Sequence, residues 1–203
     1  MKQGLPLIVT RADPGGAATV ERARALGLDA RHLPLFAAHP LEWAVPEGDF
    51  DALLLTSAQA VRLAGPGLAG LTGLPAYAVG PATAAVAEAA GLTVAMTGPG
   101  DGQSLIDAMA SQDIEHILWL CGRDRSIFDA HDAQLTPLPV YAVDPVDPPP
   151  GWRETISDPA VLLAHSARGA ARIAGLVGSA RAHLSLVAIS TAVAGAAGEG
   201  WGQ

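Results

Sequence analysis

Cysteine is almost absent from the 203-residue sequence: Cys121 stands alone. That excludes an internal disulfide framework and fits a reducing compartment. Charge is sparse too, at 16% of residues, and 20 acidic against 12 basic side chains leave a formal net charge of −8. With no basic excess to neutralise phosphates, nucleic acid is a poor partner. Aromatics make up 4%, and the only tyrosines are Tyr77 and Tyr141. Long unbroken apolar runs are also missing. Residues 63–87 carry no charge, but Pro66, Pro75 and Pro81 would break a spanning helix. The uncharged run 182–198 contains His183 and Ser190 and falls short of the roughly 20 residues a bilayer needs. Met1 to Pro6 leads straight into a strand pattern, without the apolar core of a signal peptide. A cytoplasmic protein away from membranes is expected.

What is abundant is apolar content, at 50%. With so little charge, disorder is excluded and the length suffices for one large or two small cores. Apolar strand patterns alternate with alanine-rich helical ones. Leu7–Thr10, Asp51–Thr56, Ala76–Val79, Thr93–Thr97, Ile117–Leu120, Leu138–Val143, Ala160–Ala164 and Leu186–Ile189 read as strands. Helices are expected over 17–26, from Ser57, over 81–90 and 102–110, over 125–134, and after Ser166 and Ser190. This alternation predicts the α/β class with parallel sheets. Proline-rich stretches at 36–48 and 139–151 read as stiff linkers.

The sequence also repeats itself. Leu53–Ala58 (LLLTSA) matches Leu162–Ala167 (LLAHSA) at an offset of 109, while Leu7–Thr10 matches Ile117–Leu120 and Tyr77–Val79 matches Val187–Ile189 at 110. His32–Phe36 echoes Pro137–Tyr141 near 106. Four blocks in one order argue for duplication. The first copy continues through a strand and a helix to Ala110, and the second stops at Gln203, so one strand and one helix are expected to be missing from it.

Val9-Thr10-Arg11, Gly27–Ala30, Phe50–Val61 (FDALLLTSAQAV), Ala78–Ala84 (AVGPATA), Leu120–Arg123, Val140-Tyr141, His165–Ala167 and Gly200-Trp201 occur in order along the chain. Together they resemble the uroporphyrinogen-III synthase family. The resemblance implies two Rossmann- or flavodoxin-like lobes with parallel sheets, joined by a two-strand linker, one lobe discontinuous. Lobe 1 would comprise 1–37 with 144–203, and lobe 2 would comprise 42–139. It also implies a cofactor-free, cyclising hydro-lyase. Hydroxymethylbilane loses its terminal hydroxyl to give an azafulvene. The last pyrrole then attacks through its substituted carbon, and a spiro intermediate recloses with ring D inverted as uroporphyrinogen III. Without an enzyme the same substrate closes without inversion, so the protein must chiefly hold one shape. The expected partners are the small-molecule substrate and, transiently, the preceding enzyme of the pathway, with neither nucleic acid nor membrane, and the chain is expected to be a monomer. A second reading stays open: a non-catalytic two-lobed protein binding a small anion, or a family member inactivated by its short C-terminus.

In the family, a tyrosine at the Val-Tyr position borders the cleft and protonates the departing hydroxyl. Here that residue is Tyr141. A phenol holds its proton at neutral pH and can donate it. Carboxylate arms call for cations and for free N–H groups at strand-to-helix turns. Arg11 and Arg123 follow strands and are expected to bind substrate; Arg125 stands in the same kind of place. Ser57, Thr83, Gly122 and Ser166 sit at or near strand-to-helix turns, and Ser57 and Ser166 read equally as helix caps. Where the family repeats a Gly-Thr, this chain has Ser190-Thr191, and either hydroxyl could substitute. Arg22, Arg24, Arg62, Arg172 and Arg181 read as solvated, and His165 as a packed histidine at a strand end. Gly65–Gly70 is literally GxGxxG, but it follows a helix and contains Pro66; Gly98–Gly102 lacks a P-loop lysine. The six histidines show no metal-ligand spacing.

Overall fold

The computed structural model describes residues 4–112 and 114–202; Met1–Gln3, Asp113 and Gln203 lie outside the described residues. The chain forms two compact units, one from the stretch up to Ala38 together with the stretch from Asp144 on, the other His39–Val143. In the first, β1 (Leu7–Val9), α1 (Gly15–Ala25) and β2 (Ala30–His32) make a strand-helix-strand turn. β3 (Phe36–Pro40) then leads into the second unit.

The second unit runs β4 (Ala52–Leu55), α2 (Ala58–Leu63), β5 (Ala76–Ala78), α3 (Pro81–Ala89), β6 (Val94–Thr97), α4 (Gly102–Ala110) and β7 (His116–Gly122). β8 (Gln134–Pro145) returns to the first unit, which closes with α5 (Trp152–Ser157), β9 (Val161–Ala164), α6 (Ala167–Val177), β10 (Ser185–Ala188) and α7 (Thr191–Ala197). The sheets have the orders β10-β9-β1-β2 and β3-β8-β7-β4-β5-β6. Both are parallel along β10-β9-β1-β2 and β8-β7-β4-β5-β6. The class is α/β with parallel sheets, as the alternation predicts.

Burial on both faces explains why β4 reads as a continuous apolar run rather than an alternating one. Leu53 and Leu55 pack with Val61, Leu118 and Leu120 on one side. Ala52 and Leu54 pack with Leu105, Ile106 and Met109 of α4 on the other. Helices begin where a side chain can accept the first free N–H groups. The Gln59 N–H donates to Ser57 at 3.1 Å, and those of Ser104, Gly169 and Val193 donate to Asp101, Ser166 and Ser190 at 2.8, 3.0 and 3.3 Å. Gly27 (φ 81°) follows α1 and Gly91 (φ 85°) follows α3 in the left-handed turn that favours glycine.

The duplication reaches into both sheets. Strands at matching offsets are β1 with β7, β9 with β4, and β10 with β5. Leu7 pairs with Val161 and the equivalent Ile117 pairs with Ala52; Leu186 pairs with Leu162 and the equivalent Ala76 pairs with Leu53. The first copy therefore supplies β1 and β2 to one sheet and β4 and β5 to the other. The second copy does the reverse with β7, β8, β9 and β10. Among the described residues, β6 and α4 have no counterpart in the four-stranded sheet.

Several expectations need correction. No helix forms over 125–134. The segment holds two aspartates and a histidine, all weak helix formers, and it is drawn into tertiary contacts with α4 and β7, with His131 at φ 55°. The proline-rich 36–48 stretch contains β3, and β8 extends from Gln134 to Pro145. α5 forms where no helix was expected, seating Trp152 in the interior at 3% exposure. Nor is Arg172 a solvated arginine. Its guanidinium donates to the carbonyls of Leu35 (3.1 Å) and Val146 and lies over the Phe36 ring. Arg181 donates to the carbonyls of Ala174, Gly178 and Glu199 and covers Trp201. Arg24 donates to the Ala30 carbonyl at 3.0 Å. Among the described residues, no helix is long and apolar enough to cross a membrane.

Candidate functional site

In an open parallel sheet, a crevice forms at the carboxyl ends of two neighbouring strands whose connections leave in opposite directions. In the six-stranded sheet that point lies between β4 and β7: the chain goes from β4 outward to β5 and β6, then returns to β7 and β8. A cavity of about 350 Å³ opens there. Thr56 and Ser57 border it after β4, Trp119, Cys121 and Gly122 border it from β7, and Tyr141 borders it from β8.

Local chemistry fixes these positions. The Trp119 indole N–H donates to the Thr56 hydroxyl at 2.9 Å, tying the end of β4 to β7. The Arg123 N–H donates to the Tyr141 carbonyl at 2.8 Å, and Gly122 pairs with Tyr141 across the sheet. A Cβ placed on Gly122 would lie 2.9 Å from Tyr141 Cζ and 3.1 Å from its hydroxyl oxygen. Glycine is what lets the phenol approach the end of β7.

Burial pushes the Cys121 thiol up to about 11, so at pH 8 only about one molecule in a thousand carries the thiolate. We expect iodoacetamide at pH 8 to alkylate native Cys121 about 100-fold more slowly than the unfolded chain. Equal rates would show that the thiol is not buried as described. Among the described residues, no three His, Cys, Asp or Glu side chains gather as a metal site would need.

Of the residues singled out from the sequence, Ser57, Gly122 and Tyr141 share this cavity. Thr83 belongs to the same unit but is buried in the first turn of α3 and does not line it. The Arg123 side chain also lies outside the lining and reaches Asp124 at 3.8 Å. Arg11, Ser166, Ser190 and Thr191 belong to the other unit, at the equivalent edge of its sheet. There the switch point lies between β1 and β9. Arg11 follows β1, Ser166 caps α6 after β9, Ser190 caps α7 after β10, and Thr191 is exposed. The Arg11 guanidinium packs against Gly15 in the first turn of α1. His165 precedes Ser166 with its Nδ1 buried and without a hydrogen-bond partner among the described residues; burial and the nearby Arg11 cation lower its pKa and favour the neutral ring.

Arg125, which follows a strand as Arg11 and Arg123 do, also lines the cavity, and sequence reading missed the rest of its lining: Gly100–Gly102, Ser126 and Phe128. The glycine-rich loop carries no P-loop lysine, yet the Gly98 and Gly100 N–H groups donate to Ala78 and Val79 carbonyls. Asp101 preceding a helical pattern was the available signal.

The fold and the crevices define a doubly wound α/β protein of two units, each displaying polar side chains at the carboxyl edge of a parallel sheet. The family model for uroporphyrinogen-III synthase (HemD) matches residues 17–203, and the chain belongs to that family. Among curated protein sequences none matches it. Of solved structures, uroporphyrinogen-III synthetase from Helicobacter pylori is similar at 17% identity with a TM-score of 0.60, covering 94% of this chain and 85% of that one. A mutant uroporphyrinogen III synthase from Thermus thermophilus is similar at 16% identity with a TM-score of 0.50, covering 95% and 88%. At these identities the likeness bears on the fold.

Proposed function

We propose that the chain cyclises hydroxymethylbilane to uroporphyrinogen III, inverting ring D and releasing water, as a cofactor-free hydro-lyase of the cytoplasm. The family match over 17–203 supports the reaction. The approach of Tyr141 to Gly122 at the switch-point cavity supports the assignment of a proton donor. At about 350 Å³ the cavity is at the small end of ligand pockets. It suits the reacting end of a linear tetrapyrrole rather than the whole molecule. The Tyr141 phenol donates its proton to the departing hydroxyl, giving water, a phenolate and an azafulvenium cation. The spiro intermediate fragments and recloses through the previously unsubstituted carbon of the last pyrrole, which then gives up its proton and restores the phenol. Arg11, Ser57, Thr83, Gly122, Arg123, Ser166, Ser190 and Thr191 are our candidates for holding the carboxylate arms. Arginine forks and hydroxyls at helix starts suit that task.

The deciding experiment supplies freshly prepared hydroxymethylbilane and separates the uroporphyrinogen isomers. Type III is the expected product. Type I alone, at the rate of a buffer control, would overturn the reading and favour a non-catalytic anion binder. Tyr141→Phe should slow type III formation by about 10- to 100-fold, since proton transfer is one contribution beside substrate positioning. An unchanged rate would remove Tyr141 from the mechanism.

A further inference from the structure

The segment from Arg123 to Ala133 supplies Arg125, Ser126 and Phe128 to the lining of the cavity. It has no regular secondary structure of its own to hold it there. Three contacts do so instead. The Gln103 side chain in the first turn of α4 pairs with the backbone of Asp129 twice. Its Nε2 donates to the Asp129 carbonyl at 2.8 Å, and its Oε1 accepts from the Asp129 N–H at 3.0 Å. A primary amide here does what a neighbouring strand would do.

The second contact is polar as well. Asp107, one turn further along α4, accepts from Gln103 Nε2 at 2.9 Å and pairs with His131 Nε2 at 2.8 Å. His131 holds φ 55°, a left-handed conformation that costs a residue with a Cβ, and its own N–H donates to the Asp129 carboxylate at 2.9 Å. The third contact is apolar. The Phe128 ring lies 5.0 Å from that of Trp119 and presses on Gly102, where a Cβ would come within 2.6 Å of it. Ile127, just before these anchors, is 98% exposed. The segment is therefore held through one ring and through its second half, at Phe128, Asp129 and His131, not by a core of its own.

We propose that Gln103 and the Asp107–His131 pair are positioning residues, which clasp the 123–133 segment to α4 so that Arg125 and Phe128 complete the substrate cavity that Tyr141 also lines. The role in catalysis rests on the function proposed above; the clasp itself does not. Arg125 contributes the cationic side chain of the described cavity lining, so its placement sets how well a carboxylate arm is held there. Releasing the clasp weakens substrate binding more than it slows the chemical steps.

The test compares the wild type with Gln103→Ala and His131→Asn, the latter keeping a residue that tolerates the left-handed turn. Trypsin should cut after Arg123 or Arg125 at least about 10-fold faster in both variants, because cleavage follows local opening. KM for hydroxymethylbilane should rise about 5-fold or more while kcat changes less than about 2-fold, and the type III share of product should be kept. Unchanged tryptic rates in both variants would overturn the clasp. Faster cutting with unchanged KM would overturn the positioning role, as would an equal fall in kcat alone. If the wild type yields only type I, the functional reading fails, and the positioning role with it; the tryptic comparison still decides the clasp.

Discussion

Gly122→Val should leave a folded protein that has lost about 10- to 100-fold of its type III synthase rate, as much as Tyr141→Phe loses, with type I taking a larger share of the product. The backbone at Gly122 is not in the left-handed region, so the cost does not come from strain in the chain. It comes from space. The first carbon of any side chain there would lie 2.9 Å from Tyr141 Cζ, 3.1 Å from its hydroxyl oxygen and 3.3 Å from Cε1. Carbon atoms settle at about 3.5–4.0 Å, so the ring must retreat by roughly an ångström for alanine and further for valine. A displacement of that size is enough to cost about 100-fold when it misplaces a reacting group. Tyr141 is half-buried at the cavity and can swing, so folding should suffer far less than catalysis. A double-mutant comparison isolates the route. If glycine acts by letting the phenol approach, Gly122→Val should add little once Tyr141→Phe is in place. Wild-type rates in Gly122→Val, or fully additive losses in the pair, would sink the idea.

That glycine shows how unevenly a site can be read from sequence. The turns after β4, β9 and β10 were legible because each rests on a local rule: an apolar run, then serine, then a helical pattern. Ser57, Ser166 and Ser190 each accept from an N–H two or three residues on. β4 was legible for a similar reason, since four consecutive apolar residues buried on two faces leave few other folds. The 123–133 segment was not legible, because no local rule shapes it. Its alanines and mixed charges look helical, whereas its conformation depends on Gln103, some 26 residues away in sequence, and on a phenylalanine drawn toward Trp119. β8 was cut short in the sequence reading for the opposite reason. Pro137 and Pro139 argue against a strand interior, yet the pairing with β7 continues through both to Tyr141.

The duplication carried information of a different kind. Matching blocks at offsets of 109 and 110 predict equivalent strands, and equivalent strands pair in the same register. What the offsets alone do not reveal is that each copy is divided between the two sheets. A linear repeat ordinarily suggests two units, each made by one copy. Here the first copy places β1 and β2 in one sheet and β4 and β5 in the other, so both switch points are built from strands of different copies. Arg11 and Ser166 therefore come together from opposite halves of the chain, as Ser57 and Gly122 do.

Gly16→Ala should destabilise the protein by on the order of 2–3 kcal/mol, although helix propensity alone predicts a gain of about 1 kcal/mol for alanine within a helix. Gly16 is the second residue of α1 and is buried. An added Cβ would fall 2.0 Å from His32 Nε2 and 2.6 Å from the Arg11 carbonyl oxygen. The first obstacle is a ring that can move, at the loss of the His32–Arg11 carbonyl hydrogen bond of 2.9 Å, worth about 1 kcal/mol. The second is backbone at the end of β1, and there is little room for it to shift. The Leu35 N–H donates to Thr10 at 2.9 Å and the Leu33 N–H to Val9 at 3.0 Å, so moving Arg11 pulls on the segment that follows β2. The steric terms therefore outweigh the propensity gain. At roughly 2–4 °C per kcal/mol for a chain of this size, the unfolding midpoint should fall by about 4–12 °C. His32→Ala added to Gly16→Ala should recover part of that fall but not all, because the clash with the Arg11 carbonyl remains. A melting temperature at or above wild type for Gly16→Ala would mean that α1 can slide away from β1, and that Arg11 is less firmly held than the packing implies.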